Sequence, residues 1–159
     1  SIPLMRKQNS GVIINISSFL GKIGLPLLTL YNSSKYAVEG ITDSLRYELS
    51  EFNIRVHSIM PGFFDTQFAR DNLVTNLNTF DEKSPYSKTV SNLAPIIVEQ
   101  INNGNDPKEV ASIILEIIEN ENFLARVTAG EKAKKFLPMK KELSDEDFER
   151  RVKEYYNIG

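Results

Sequence analysis

Cysteine is absent from this chain and histidine occurs once. Without thiols, disulfides, zinc–thiolate centres, iron–sulfur clusters and cysteine nucleophiles are all excluded. With one histidine, a Ser-His-Asp triad would have to be built around His57. No apolar run approaches the roughly 20 residues that cross a bilayer. The opening Ser1-Ile2-Pro3-Leu4-Met5-Arg6-Lys7-Gln8 has no signal-peptide core, so a cytoplasmic address is expected. A net charge of −2 offers neither nucleic acid nor a membrane surface a broad electrostatic attraction. No Asp, Glu and His spacing suggests a metal centre. What remains is 159 residues, 41% apolar and 25% charged, ordinary for one compact soluble domain.

The organisation is that of an α/β protein. Val12-Ile13-Ile14-Asn15-Ile16, between Gly11 and Ser17-Ser18, reads as a strand buried on both faces of a parallel sheet. From Tyr31 to Phe52 the pattern turns helical: Val38, Ile41, Leu45, Leu49 and Phe52 recur at steps of three and four. Glu39, Asp43, Arg46 and Glu48 fall mostly on the other faces, and Gly40 suggests close approach of another element. A second strand, Ile54 to Met60, stops at Pro61-Gly62. Strand, helix and strand over about 50 residues make a βαβ unit. Such sheets bind ligands at the carboxyl ends of their strands, where Ser17-Ser18 and Pro61-Gly62 both stand.

Beyond Gly62 the spacing predicts helices near 66–78 and 87–103. Another starts at Pro107 with an apolar face of Val110, Ile113, Ile114, Ile117 and Ile118. A short strand is expected at 126–129. Ser144 with Asp147 forms a capping box for a last helix that turns Phe148, Val152 and Tyr155 inward. Lys132, Lys134, Lys135, Lys140 and Lys141 read as a solvated face or an oligomer contact. His57, mid-strand, reads as structural or surface-lying.

Tyr31 and Lys35 lie four residues apart, hence one turn apart on one helix face. A free phenol ionises near pH 10. An adjacent ammonium lowers that value, giving a group able to protonate a carbonyl oxygen or deprotonate an alcohol. Ser18, at a strand end thirteen residues earlier, can hold the same oxygen.

These elements together resemble the short-chain dehydrogenase/reductase family. The likeness rests on Asn15-x-Ser17-Ser18 at a strand end, Tyr31-x-x-Ser34-Lys35 at a helix start and Pro61-Gly62-x-x-x-Thr66 at a turn, in that order. The resemblance implies a Rossmann-like doubly wound parallel sheet and an NAD(P)-dependent oxidoreductase that interconverts an alcohol and a carbonyl. It implies Ser18, Tyr31 and Lys35 as the catalytic set. Tyr31, Lys35, Pro61, Gly62, Phe64 and Thr66 would face NAD or NADP, and a lid over about 63–105 would cover a small-molecule substrate. Phe63, Phe64, Phe68, Leu73 and Phe80 there suit a bulky, apolar alcohol or ketone, or else pack on the protein itself. A homodimer or homotetramer is implied; nucleic acid and membrane partners are not.

The departure is at the other end of the pattern. The family's T-G-x-x-x-G-x-G turn, which holds a pyrophosphate at a helix N-terminus, is not in these 159 residues, nor is its N-N-A-G element. The chain therefore reads as the catalytic-side portion, 1–159, of a single Rossmann-like domain whose N-terminal βαβ half is absent. An unpaired apolar edge on the first strand would make this segment alone fold poorly and bind no dinucleotide. A truncated or degenerate relative with a non-catalytic binding or regulatory role is the alternative. The extended branch of the superfamily fits less well, since no V-Y-G element follows the serine.

Overall fold

A short helix, α1 (Ile2–Gln8), leads into strand β1 (Gly11–Ile16), with Asn9 between them in the left-handed region at φ 51°. The computed structural model describes residues 1–71 and 80–158. After β1 come a 3-10 turn (Phe19–Gly21), the long helix α2 (Thr29–Leu49), a second 3-10 turn (Ser50–Phe52) and strand β2 (Ile54–Pro61). Then follow α3 (Gln67–Asp71), α4 (Ser87–Asn102), α5 (Lys108–Glu119), strand β3 (Arg126–Ala129), α6 (Glu131–Glu142) and α7 (Asp145–Tyr156).

β1 and β2 run parallel, from Gly11 opposite Ile54 to Ile16 opposite Ile59, so α2 is the crossover that a parallel pair requires. β3 adds in parallel to the other side of β2, giving the order β1-β2-β3. This is the α/β, Rossmann-like arrangement that the βαβ pattern predicts.

β2 is central and almost wholly buried, as its apolar run requires. β1 differs from expectation. Its residues are only half-buried and Ile16 is 44% exposed, because among the described residues it has a strand neighbour on one side only. A free edge of this kind is what the sequence pattern implied for these residues.

Most of the core lies away from the sheet. Phe19, Leu20, Ile23 and Leu25 meet Leu93, Ile97 and Ile101 of α4, Phe136 of α6, and Phe148, Val152 and Tyr156 of α7. α4 is therefore fixed in the core, although it falls within the expected lid. A smaller cluster joins Ile59, Phe64, Ile117 and Ala129 between the sheet and α5.

Several local expectations need correction. The buried side of α2 carries Asn32, Glu39, Thr42 and Leu49, while Ile41 is 54% exposed. A Cβ on Gly40 would meet no atom within 4 Å, so among the described residues nothing approaches it. On α7, Tyr156 takes the fully buried place, and Tyr155 is only partly covered. The capping serine does act: Ser144 Oγ accepts from the Asp147 N–H at 3.1 Å. The lysine run is not a bare solvated face. It lies largely on the unforeseen helix α6, where Lys134 pairs with Glu109 at 2.7 Å, Lys140 with Asp145, and Lys132 and Lys135 stand over the Tyr155 ring.

Candidate active site

The carboxyl end of β1 continues into Ser17, whose N–H donates to Ile59 O at 2.8 Å and so extends the ladder by one residue. Ser18 then leaves the sheet in an extended conformation (φ −165°) and caps the 3-10 turn, its Oγ accepting from Leu20 N–H at 3.1 Å. The same hydroxyl lies 3.5 Å from Pro61 O, at the end of β2. Two strand ends thus meet at one serine.

α2 brings the other two groups. Lys35 Nζ stands 5.6 Å from the centroid of the Tyr31 ring, on one helix face, and donates to Ile16 O at 3.1 Å. The Tyr31 phenol is near enough to Ser18 for that side chain to pull its pKa down. The structure therefore brings Ser18, Tyr31 and Lys35 together where β1 and β2 end.

The electrostatics differ from expectation. Burial raises the Tyr31 phenol above its ordinary value, and Ser18 offsets this only in part. Burial lowers the Lys35 ammonium. The expected depression of the phenol by its lysine is not realised in this arrangement, because the ammonium is turned to a carbonyl and sits over the ring. The acidification of Tyr31 needs a positive charge nearer its oxygen.

The turn after β2 is tightly set. Gly62 N–H donates to Ala129 O at 2.8 Å, and a Cβ there would stand 3.0 Å from Ala133 N at the start of α6. The Phe64 side chain is buried in the cluster with Ile59 and Ile117, so only its backbone is left to face a ligand. Thr66 Oγ1 accepts from Ala69 N–H at 3.2 Å, capping α3. Phe63 packs edge-on against Phe19, centroids 5.6 Å apart, whereas Phe68 and Phe80 are exposed. Leu73 and the end of the helix expected at 66–78 lie outside the described residues.

His57 is buried, its Nδ1 within 2.8 Å of Leu124 O. Burial lowers its pKa, which suits a structural imidazole.

One charged residue near the site was misplaced by pattern reading. Glu39, read as lying on an outer face, is 2% exposed. Burial alone would raise its carboxyl, but hydrogen bonds from Ser58 and Arg126 outweigh it and hold the pKa below the ordinary value of 4.5. The available signal was its spacing: four residues beyond Lys35 and eight beyond Tyr31, it shares their helix face. Asn32, next to Tyr31, is also buried, and its Nδ2 donates to Leu25 O at 3.1 Å, pinning the loop before α2.

Known proteins resemble this chain in sequence and fold. Residues 1–76 match the short chain dehydrogenase family. The chain is 34% identical over 129 residues to a 3-ketodihydrosphingosine reductase of Bacteroides thetaiotaomicron, covering 81% of this chain and 47% of that protein. A short-chain dehydrogenase from Streptomyces avermitilis superposes with a TM-score of 0.72 at 26% identity, over 98% of this chain and 54% of that one. A short chain dehydrogenase from Burkholderia cenocepacia, solved in complex with NADP, shares the fold with a TM-score of 0.65 at 21% identity, over 95% of this chain and 50% of that one. The chain spans about half the length of each of these three proteins.

Proposed function

Because this chain belongs to the short-chain dehydrogenase/reductase family of oxidoreductases, we propose that it is the catalytic side of an NAD(P)-dependent enzyme that interconverts an alcohol and a carbonyl. The observation that carries this is Ser18 at the meeting point of two parallel strand ends, with Lys35 donating to Ile16 O at the first of them and standing over the Tyr31 ring one helix turn away. When bound, the nicotinamide group supplies or accepts the hydride. Everything else falls to this chain.

The residues present fit the nicotinamide end of such a cofactor. Lys35, held at a strand end by a single carbonyl, can turn that ammonium toward a ribose hydroxyl. Pro61, Gly62, the Phe64 backbone and Thr66 form the adjoining turn. The phosphate-binding Gly-rich turn is not among these 159 residues. Ser18 Oγ holds the substrate oxygen. In reduction, Tyr31 Oη gives its proton to that oxygen as the carbonyl carbon gains hydride; in oxidation the proton returns to Tyr31. The raised phenol pKa keeps Tyr31 protonated at neutral pH, so the proton for reduction is in place, while a positive charge nearer its oxygen would ease its release.

The substrate side is the segment 63–105, with Phe68, Phe80 and Tyr86 exposed in it. That much open apolar and aromatic surface suits a bulky, apolar alcohol or ketone. The likeness to a 3-ketodihydrosphingosine reductase supports the same direction. Assembly as a homodimer or homotetramer would use the outward face of α2, where Leu30, Ala37, Gly40, Ile41, Ser44 and Tyr47 are exposed.

The test is made on the protein as it occurs naturally. NAD(P)H consumption is followed over a panel of ketones, with Tyr31→Phe beside the wild type. The expected loss in kcat is at least about 100-fold, the ordinary worth of a positioned acid, with cofactor affinity within threefold. Undiminished turnover by Tyr31→Phe overturns the assignment. A wild type inactive on every ketone, in both directions, points to the non-catalytic relative instead.

A further inference from the structure

A carboxylate withdrawn from water is stable only when charge and hydrogen bonds replace its hydration. Glu39, 2% exposed, has both, and its partners stand in one line. Asn15 on β1 is opposite Ser58 on β2, and Ser58 is opposite Arg126 on β3. This polar row crosses the strands β1, β2 and β3 at one level of the sheet, and each member grips α2. Asn15 Nδ2 donates to Thr42 Oγ1 at 2.9 Å. Ser58 Oγ donates to Glu39 Oε1. Arg126 Nε donates to Glu39 Oε2 at 2.7 Å, and its Nη2 reaches Asp43. Lys22 Nζ, 3.7 Å from Glu39 Oε2, joins the loop after Ser18 to the same carboxylate. At Gly21 in that loop a Cβ would stand 2.9 Å from Lys35 O and 3.0 Å from Glu39 Cγ, so loop and helix touch there.

Apolar packing tolerates small slides and rotations of a helix; directed hydrogen bonds do not. A slip of one residue along α2 would swing its side chains by about 100°. Thr42, Asp43 and Glu39 lie within four residues of one another, and Glu39 is one turn from Lys35 and two from Tyr31. We infer that the row Asn15–Ser58–Arg126 is a registration device for α2, and that Glu39 is a positioning residue holding Tyr31 and Lys35 opposite Ser18. The inference rests on the proposed catalytic role of those three residues. Fixing a register is among the best-attested uses of a buried polar group.

The experiment replaces Glu39 and its two partners in the row by apolar residues in the naturally occurring protein: Glu39→Leu, Ser58→Ala and Arg126→Met together. Such swaps commonly keep or raise stability, so stability and geometry separate. The expected result is a melting temperature within a few degrees of wild type, a kcat at least tenfold lower and a cofactor Kd within threefold. Wild-type kcat in a folded triple variant overturns the inference. Should the triple variant not fold, Arg126→Lys decides, since it keeps the charge and loses the fork. Reduced kcat at an unchanged melting temperature supports the seat, and a reduced melting temperature at unchanged kcat overturns it. Tyr31→Phe, measured alongside, separates two failures. Full activity there removes the catalytic reading itself, whereas an inactive Tyr31→Phe beside a normal triple variant removes only the seat.

Discussion

The helix α2 and the trio α4, α6 and α7 are held down in opposite ways. α2 lies on the sheet through Glu39, Thr42 and Asp43, which meet Ser58, Asn15 and Arg126. The trio is joined chiefly by apolar and aromatic packing, with the Lys140–Asp145 pair and the lysines over Tyr155 at its margin: Phe136 stacks on Tyr156 at 6.2 Å, meets Tyr155 edge-on at 5.2 Å, and shares a cluster with Leu93, Ile97 and Val152. Dispersion and water exclusion supply stability without choosing a direction. Hydrogen bonds add little net stability, about 1 kcal/mol each, but they do choose a direction. The helix that carries the proposed chemistry has the directional seat.

The comparison breaks most visibly at Phe136. Phe136→Ala should lower stability by about 3–5 kcal/mol, measured by chemical denaturation, while folded molecules keep their kcat. A large loss of kcat per folded molecule would erase the distinction between the two regions. Gly104→Ala should come next. Its Cβ would stand 2.6 Å from the Phe64 carbonyl carbon, a backbone clash expected to cost about 1–3 kcal/mol and to be read by the same denaturation series.

Acid sharpens the comparison from the polar side. The fold holds the Glu39 carboxyl below its ordinary value of 4.5, so it favours the carboxylate. That contribution is present above the unfolded-state value and is lost as pH falls through the folded one. Glu39→Gln should therefore be less stable than wild type at pH 7, and the gap should narrow as pH falls below the ordinary carboxyl value of 4.5. A gap independent of pH would mean that the charge does not matter to the seat. Gly40→Ala is the smallest change. At an exposed mid-helix site with open space around it, the substitution should stabilise an isolated protomer by up to about 1 kcal/mol. If α2 packs against a second copy at Gly40, the same substitution should shift light-scattering mass toward monomer.

Much of the site is legible without coordinates, and the reason is local. Tyr31 and Lys35 share a face because four residues make about one turn. Ser18 and Pro61 stand at strand ends because Gly and Pro stop strands. Spacing puts Glu39 on the face of Tyr31 and Lys35, but its burial was not legible in this way. A glutamate on a helix is exposed unless something across the fold receives it, and the receivers, Ser58 and Arg126, lie 19 and 87 residues further along. Helix α6 was hidden for a related reason. Its lysines look like a solvated surface until Glu109, Asp145 and Tyr155 are brought beside them.

The sequence by itself determined the order of strand, helix and strand, the strand ends and the helical face shared by Tyr31 and Lys35. Each follows from periodicities of two and 3.6 residues and from the backbone limits of glycine and proline. Only the tertiary structure decided that Asn15, Ser58 and Arg126 fall in one row, that Glu39 is buried against it, and that α4 is fixed in a core built by the C-terminal helices. Those outcomes depend on strand register and on contacts between distant segments, where chain separation no longer limits which side chains meet.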